Sequence, residues 1–178
     1  MWAAQSLDIG PDQRFLTSGG MGAMGFALPA AVGAALACPD QAIVMIAGDG
    51  SFQLNIQELQ TVVRNKLPLK MVILDNGCHG MVRQFQQSYF DERYQSTYWG
   101  YSAPDFARVA AAYGIEGRTV EDPADVEDAL RWLWRDPHAP ALLQTRIAPF
   151  ANVYPKIAFG RPITEMEPFA KPIAMEGT

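Results

Sequence analysis

Three short apolar runs punctuate the chain: Ala42-Ile-Val-Met-Ile-Ala47, Leu69-Lys-Met-Val-Ile-Leu74 and Ala141-Leu-Leu-Gln-Thr-Arg-Ile147. Each is too short for a buried helix and ends at polar or turn-forming residues, so each reads as a strand covered on both faces, the pattern of a parallel sheet. Between the first two, Ile56, Leu59, Val62 and Val63 share one face of a helix predicted over 55–66. That makes a strand–helix–strand unit, whose crossover is right-handed almost without exception. Upstream, an alanine-rich stretch predicts a buried helix over 26–37, with Pro29 in its first turn where a missing N–H does no harm. Downstream, a helix is expected over 79–90. A further helix opens at Ser102-Ala-Pro-Asp, carries Phe106, Val109, Ala110 and Tyr113 on one face, and stops at Gly114. A strand over 116–120 leads to the cap pair Asp122-Pro123 and a helix with Val126, Leu130, Leu133 and Trp134 at helical spacing. The alternation predicts an α/β fold, a doubly wound and mainly parallel sheet with helices on both faces. Residues 1–147 form the predicted domain. Residues 148–178, with Pro149, Pro155, Pro162, Pro168 and Pro172 among Tyr154, Phe159 and Phe169, are expected to lie on it as an ordered tail.

Composition narrows the function classes. With 178 residues, 49% hydrophobic and 19% charged, the chain fits one soluble domain with a substantial core. A net charge of −5 without any lysine or arginine cluster argues against nucleic acid and anionic membranes as partners. Cys38 and Cys78 are too few for a disulfide framework and are expected to be reduced thiols. No apolar run approaches the length of a membrane span, and Met1-Trp-Ala-Ala-Gln has no basic signal region, so the expected compartment is the cytoplasm.

The candidate chemistry sits at the ends of the first two strands. Gly48-Asp-Gly-Ser51 follows one, and Asp75-Asn76 follows the other. Carboxyl ends of neighbouring parallel strands are where open α/β sheets bind ligands. A carboxylate (Asp49) and an amide oxygen (Asn76) beside a glycine turn suit a hard divalent cation and a diphosphate. The plainer alternative is that Asp49 caps a helix and Asn76 closes a turn. Gly20-Met-Gly-Ala-Met-Gly25 matches the dinucleotide fingerprint in form. It lacks the strand that must precede it, which leaves nicotinamide binding a poor rival and close packing against a ligand or helix the better reading. His138 is expected in an exposed loop, and His79 follows Asn76 closely enough to line the same site. No second His or Cys stands at zinc spacing, and neither Ser18, Ser51 nor Cys78 has the setting of a nucleophile.

With these residues in place, the chain resembles a known family. Gly48-Asp-Gly followed by Asn76 is similar to the thiamine diphosphate signature. Thr17-Ser-Gly-Gly-Met-Gly-Ala-Met-Gly-Phe-Ala-Leu-Pro, Asn55-Ile-Gln-Glu-Leu, Gly80-Met-Val-Arg-Gln-Phe-Gln and Val153-Tyr-Pro-Lys resemble the C-terminal domain of acetolactate synthase large subunits. The resemblance implies that Asp49, Asn76 and the main-chain carbonyl of Cys78 ligate Mg²⁺. Backbone around Gly48, Gly50, Ser51, His79 and Gly80 would cradle the diphosphate. Gly22 and the Met24 backbone would hold the aminopyrimidine, with the Met24 side chain pressing the cofactor into its bent form. Met81 and Val82 would add apolar wall. The implied reaction is decarboxylation of pyruvate and transfer of the two-carbon unit to a second 2-keto acid.

Three departures from the family pattern stand out. The usual asparagine pair is Asp75-Asn76, the usual substrate-pocket tryptophan is Phe85, and no Gly-Gln-His-Gln stretch precedes Met1. The resemblance further implies a pyrimidine-binding domain that supplies the activating glutamate, and a middle domain that holds FAD in the full-length parent. No catalytic residue is therefore assigned within these residues. The chain alone is expected to lack appreciable carboligase activity, and to self-associate or meet a pyrimidine-domain partner. Rival readings are a related carboligase acting on a keto sugar nucleotide and, in another class, a non-catalytic binding or assembly module.

Overall fold

The computed structural model describes residues 1–171, so Pro172 and the rest of the expected tail to residue 178 lie outside the described residues. In chain order the elements begin α1 (Trp2–Ser6), α2 (Ala27–Ala37), β1 (Val44–Gly48), α3 (Asp49–Gln53), α4 (Leu59–Arg64), β2 (Lys70–Asp75) and α5 (Gly80–Tyr89). There follow α6 (Phe106–Ala112), β3 (Glu116–Val120), α7 (Val126–Leu133), β4 (Ala141–Arg146) and the short strands β5 (Lys156–Ile157) and β6 (Met166–Glu167). They fall into two compact units, one of residues Asp8–Asp75 and Ala103–Ile147, the other of Met1–Leu7, Asn76–Ser102 and, among the described residues, 148–171.

The first unit holds a four-stranded sheet in the order β1-β2-β4-β3, with every neighbouring pair parallel. Side chains alternate across it, as strand geometry requires. Met45, Ala47, Met71, Ile73 and Leu142 pack on one face with Leu28, Ala31 and Ala35 of α2, Leu59 and Val62 of α4, and Phe106 and Ala110 of α6. Ala141, Leu143 and Val120 meet Ala129 and Leu133 of α7 on the other. Burying the larger of these side chains, the leucines, valines, methionines, Ile73 and Phe106, contributes about 1.5–3 kcal/mol each. The sheet is thus parallel and covered by helices on both faces, as the alternating pattern predicted.

Three helices differ from their sequence reading. The expected helix over 55–66 is broken: α3 ends at Gln53, a single 3₁₀ turn spans Ile56–Glu58, and α4 follows. Asn55 causes the break, leaving the helical region at φ −130° and ψ 26° while its side-chain amide donates to the Gly25 carbonyl at 2.5 Å. Ile56, Leu59, Val62 and Val63 still pack on the core. The expected buried helix, α2, is buried on one side only, and Leu36 is 58% exposed. In α7 the buried residues are Ala129 and Leu133, whereas Val126, Leu130 and Trp134 are exposed. The small side chain of Ala129 lets that face approach the sheet, and turns the larger residues outward.

Lys70 stands inside a strand and is 1% exposed. Its Nζ donates to the carbonyls of Asp136 at 2.5 Å and Ala139 at 2.6 Å, holding the loop that leads into β4. Burial lowers the Lys70 pKa, and the nearby Asp136 charge opposes that shift in part.

In the second unit, α5 grips the chain after Ala148. The buried Gln84 donates to the Val153 carbonyl at 3.1 Å and accepts from the Val153 N–H at 2.9 Å. Arg83, fully buried, donates to Asn152 Oδ1 at 2.5 Å and to Gln87 Oε1 at 3.0 Å. From α1, Trp2 donates to the Asn152 carbonyl at 3.3 Å. β5 and β6 pair antiparallel, and Lys156 meets Glu167 across them at 2.8 Å. Among the described residues, no helix is long and apolar enough to cross a membrane.

Candidate functional site

In the sheet-bearing unit, the Gly-Asp-Gly-Ser segment turns straight from strand into helix. Gly48 is the last residue of β1 and Asp49, only 2% exposed, the first of α3. The glycine-rich loop is tied to this segment. Ser51 Oγ accepts from the Gly25 N–H at 2.9 Å, and Asn55 holds the Gly25 carbonyl from the other side. Gly25 has φ +82°, and a Cβ there would come within 2.6 Å of the Asn55 amide nitrogen, so the loop passes where only glycine fits. Gly22 also has φ +62°, and Met24 is 46% exposed. Gly22, Met24, Gly48, Asp49, Gly50 and Ser51 therefore belong to one connected stretch of this unit, and Asn55 is the member that sequence reading did not assign to it.

In the other unit, Asn76, Cys78, His79 and Gly80 form a tight turn into α5. Asn76 Oδ1 accepts from the Cys78 N–H at 3.3 Å, and a Cβ on Gly80 would lie 2.6 Å from Asn76 Nδ2. The Cys78 thiol is buried and donates to the Pro149 carbonyl at 3.4 Å. His79 donates its N–H to the Thr97 carbonyl at 2.9 Å, and its ring stands edge-on to Tyr101 at 4.7 Å. Met81 and Val82 are exposed at 38% and 51%. Phe85, one turn on, stacks with Tyr89 at 4.4 Å and lines a shallow cavity of about 510 Å³ with Val82, Gln86, Phe90, Arg93 and Gln95. Burial and the Glu167 charge raise the Tyr89 pKa.

The buried carboxylate of Asp49 is a hard oxygen donor of the kind that divalent cations take. Among the described residues, no three of His, Cys, Asp and Glu converge in the manner of a zinc site. The sequence reading did not anticipate what holds Asp75. Its buried carboxylate oxygen Oδ2 accepts from Gln144 Nε2 at 2.6 Å and from Arg146 Nη1 at 2.5 Å. Gln144 Oε1 in turn accepts from the N–H groups of Phe106 at 2.9 Å and Ala107 at 3.2 Å, the first residues of α6. The available signal was a glutamine and an arginine two positions apart in an apolar strand, hence on one face of it.

Comparison with known proteins decides the family. Residues 1–145 match the family described as thiamine pyrophosphate enzyme, C-terminal TPP binding domain. The chain belongs to this family. This TPP-binding domain is 47% identical over 166 residues to the acetolactate synthase isozyme 2 large subunit of Escherichia coli, a match covering 93% of the chain and 30% of that protein. It is 40% identical over 172 residues to the acetolactate synthase large subunit of Porphyra purpurea, covering 97% of the chain and 29% of the relative. The domain thus spans less than a third of the length of these relatives. Among solved structures it is similar to a Rhodococcus jostii thiamine diphosphate-dependent 4-hydroxybenzoylformate decarboxylase. That match has a TM-score of 0.63 and 34% identity over 71% of this chain and 24% of the other.

Proposed function

We propose that this chain is the diphosphate- and Mg²⁺-holding domain of a thiamine diphosphate-dependent carboligase of the acetolactate synthase kind. The observation that carries the reading is the pairing of β1 with β2. Gly48 and Leu74 are partners in register, so the Gly-Asp-Gly-Ser turn starts at the carboxyl end of one parallel strand, beside the strand that Asn76 directly follows. Family membership supports reading that arrangement as a cofactor site rather than a generic ligand edge.

Asp49, Asn76 Oδ1 and the Cys78 carbonyl hold Mg²⁺, and the main chain around Gly48, Gly50, Ser51, His79 and Gly80 receives the diphosphate. Gly22 and the Met24 backbone take the aminopyrimidine, and the Met24 side chain supports the bent cofactor. Met81 and Val82 keep water from that wall, and Phe85 faces the substrate side. When bound, thiamine diphosphate supplies the electron sink for decarboxylating a 2-keto acid. Pyruvate is the proposed donor and a second 2-keto acid the acceptor, the transfer reaction being that of a longer enzyme carrying the activating glutamate. The greater identity to acetolactate synthases, 47% against 34% for the decarboxylase, favours transfer over simple release.

Calorimetric titration of the chain with thiamine diphosphate, with and without Mg²⁺, tests this. Mg²⁺-dependent binding is expected, lost in Asp49→Ala while the fold persists. Binding indifferent to that substitution would remove Asp49 from the site.

A further inference from the structure

We propose that Asn55 is a positioning residue for the cofactor, acting by holding Gly25 and with it the glycine-rich loop that bears Gly22 and Met24. The inference rests on the cofactor reading above, and every group it uses lies in the sheet-bearing unit. Residues 55–66 carry the apolar pattern of one helix, yet the chain leaves the helical region at Asn55, with φ −130° and ψ 26°. That departure aims the side-chain amide at the Gly25 carbonyl, thirty positions back, at 2.5 Å. Ser51, four positions before Asn55, accepts from the N–H of the same glycine at 2.9 Å. Side chains of one short segment thus answer both backbone polar groups of Gly25. The fit is close: a Cβ on Gly25 would stand 2.6 Å from Asn55 Nδ2.

This bracket fixes one end of a loop whose other end is closed by Ser18. The Ser18 carbonyl accepts from the Gly22 N–H at 2.6 Å, and its Oγ accepts from the Ala23 N–H at 3.3 Å. Past Gly25 the chain enters α2, whose Leu28, Ala31 and Ala35 are held in the core. Asn55 therefore grips the junction between a fixed helix and an open loop. The loop is bare where a ring would lie. A Cβ on Gly20 would meet no described atom within 4 Å, and no positive φ calls for glycine there, so the main chain is left open to close approach. Because Ser51 also belongs to the segment proposed to receive the diphosphate, the bracket sets the spacing between the aminopyrimidine and diphosphate halves. A slackened loop loses contacts with the ring and keeps those with the diphosphate.

That asymmetry supplies the test, made on the full 178-residue chain with Mg²⁺ present. Two probes are titrated: thiamine diphosphate, and inorganic diphosphate, which has no ring. In Asn55→Ala, affinity for thiamine diphosphate should fall about 10-fold, the scale of one lost hydrogen bond. Inorganic diphosphate should bind as it does to the unsubstituted chain, and circular dichroism should not change. Asn55→Asp keeps the shape and loses the donor, so it should match Asn55→Ala. Amide hydrogen exchange reads the bracket without any ligand, and the Gly22, Ala23 and Gly25 amides should exchange faster in both variants. Equal loss of the two probes would reduce Asn55 to a residue of general stability and overturn the proposal. Full thiamine diphosphate affinity in either variant, or unchanged exchange at Gly25, would overturn it as well. Should one or both probes fail to bind the unsubstituted chain, the cofactor reading falls and takes the proposal with it, whereas binding without the split removes the proposal alone.

Discussion

At the scale of single residues, Gly80 shows how little space the turn around Asn76 leaves. A Cβ there would stand 2.6 Å from Asn76 Nδ2, closer than side chains tolerate, so the asparagine must move. Gly80 is also the first residue of α5, where alanine would favour the helix by up to about 1 kcal/mol. Gly80→Ala is therefore expected to leave thermal stability equal or higher. Its Mg²⁺-dependent affinity for thiamine diphosphate should drop by about 10-fold, or about 1.4 kcal/mol. Paired melting and titration experiments check this, and unchanged affinity would mean that Asn76 can turn aside at no cost. Asp49, Asn76 and Gly80 could be nominated from the sequence because the motifs that hold them are patterns along the chain. Gln144 and Arg146 could not. Both read as ordinary polar residues near a strand end until β4 is paired with β2, and only then does Asp75 become their shared acceptor. Asn55 was hidden for the same reason, since its partner Gly25 is reached only through the fold.

At the scale of elements, β2 is the member whose sequence conceals most. An apolar period with one lysine in it reads as a strand, and the structure agrees over Lys70–Asp75. What the period cannot say is that the ammonium folds back onto the loop before β4. The charged form of Lys70 carries a desolvation cost in the fold that is fully present below its lowered pKa. As pH rises from there toward the ordinary lysine value, the unfolded chain binds more protons than the native one, so stability should increase. Lys70→Met has no such term. Urea denaturation from pH 7 upward is expected to show the unsubstituted protein gaining on the Lys70→Met variant. Comparing the two cancels the opposing contributions of Tyr89 and Tyr94, whose pKa values burial raises. A constant difference across that range would show that Lys70 is solvated in the native state. The broken helix before β2 belongs to this scale too. Ile56, Leu59, Val62 and Val63 were correctly grouped because a 3₁₀ turn followed by α4 keeps them facing the core. The break itself depends on a side chain answering a distant carbonyl.

At the scale of the whole molecule, the sheet-bearing unit leaves large apolar side chains uncovered: Met21 at 91%, Leu16 at 64%, Leu36 at 58% and Leu54 at 56% exposed. Apolar exposure of this kind marks association surfaces or aggregation hazards. Self-association is the expected behaviour, seen as a dimer or larger species in light scattering at micromolar concentration, and a strictly monomeric solution would contradict it. By itself the sequence determined the α/β alternation, the parallel character of the strands and the Gly-Asp-Gly…Asn signature. Those depend on periodicity and on spacing along the chain, which are local quantities. The tertiary structure alone decided the strand order β1-β2-β4-β3. By seating β4 directly beside β2, that order buries Lys70, Asp75 and Gln144 with partners some seventy positions away. Hydrogen bonds across such distances have no periodic trace in a sequence, because they are selected by which strands pair and in what register.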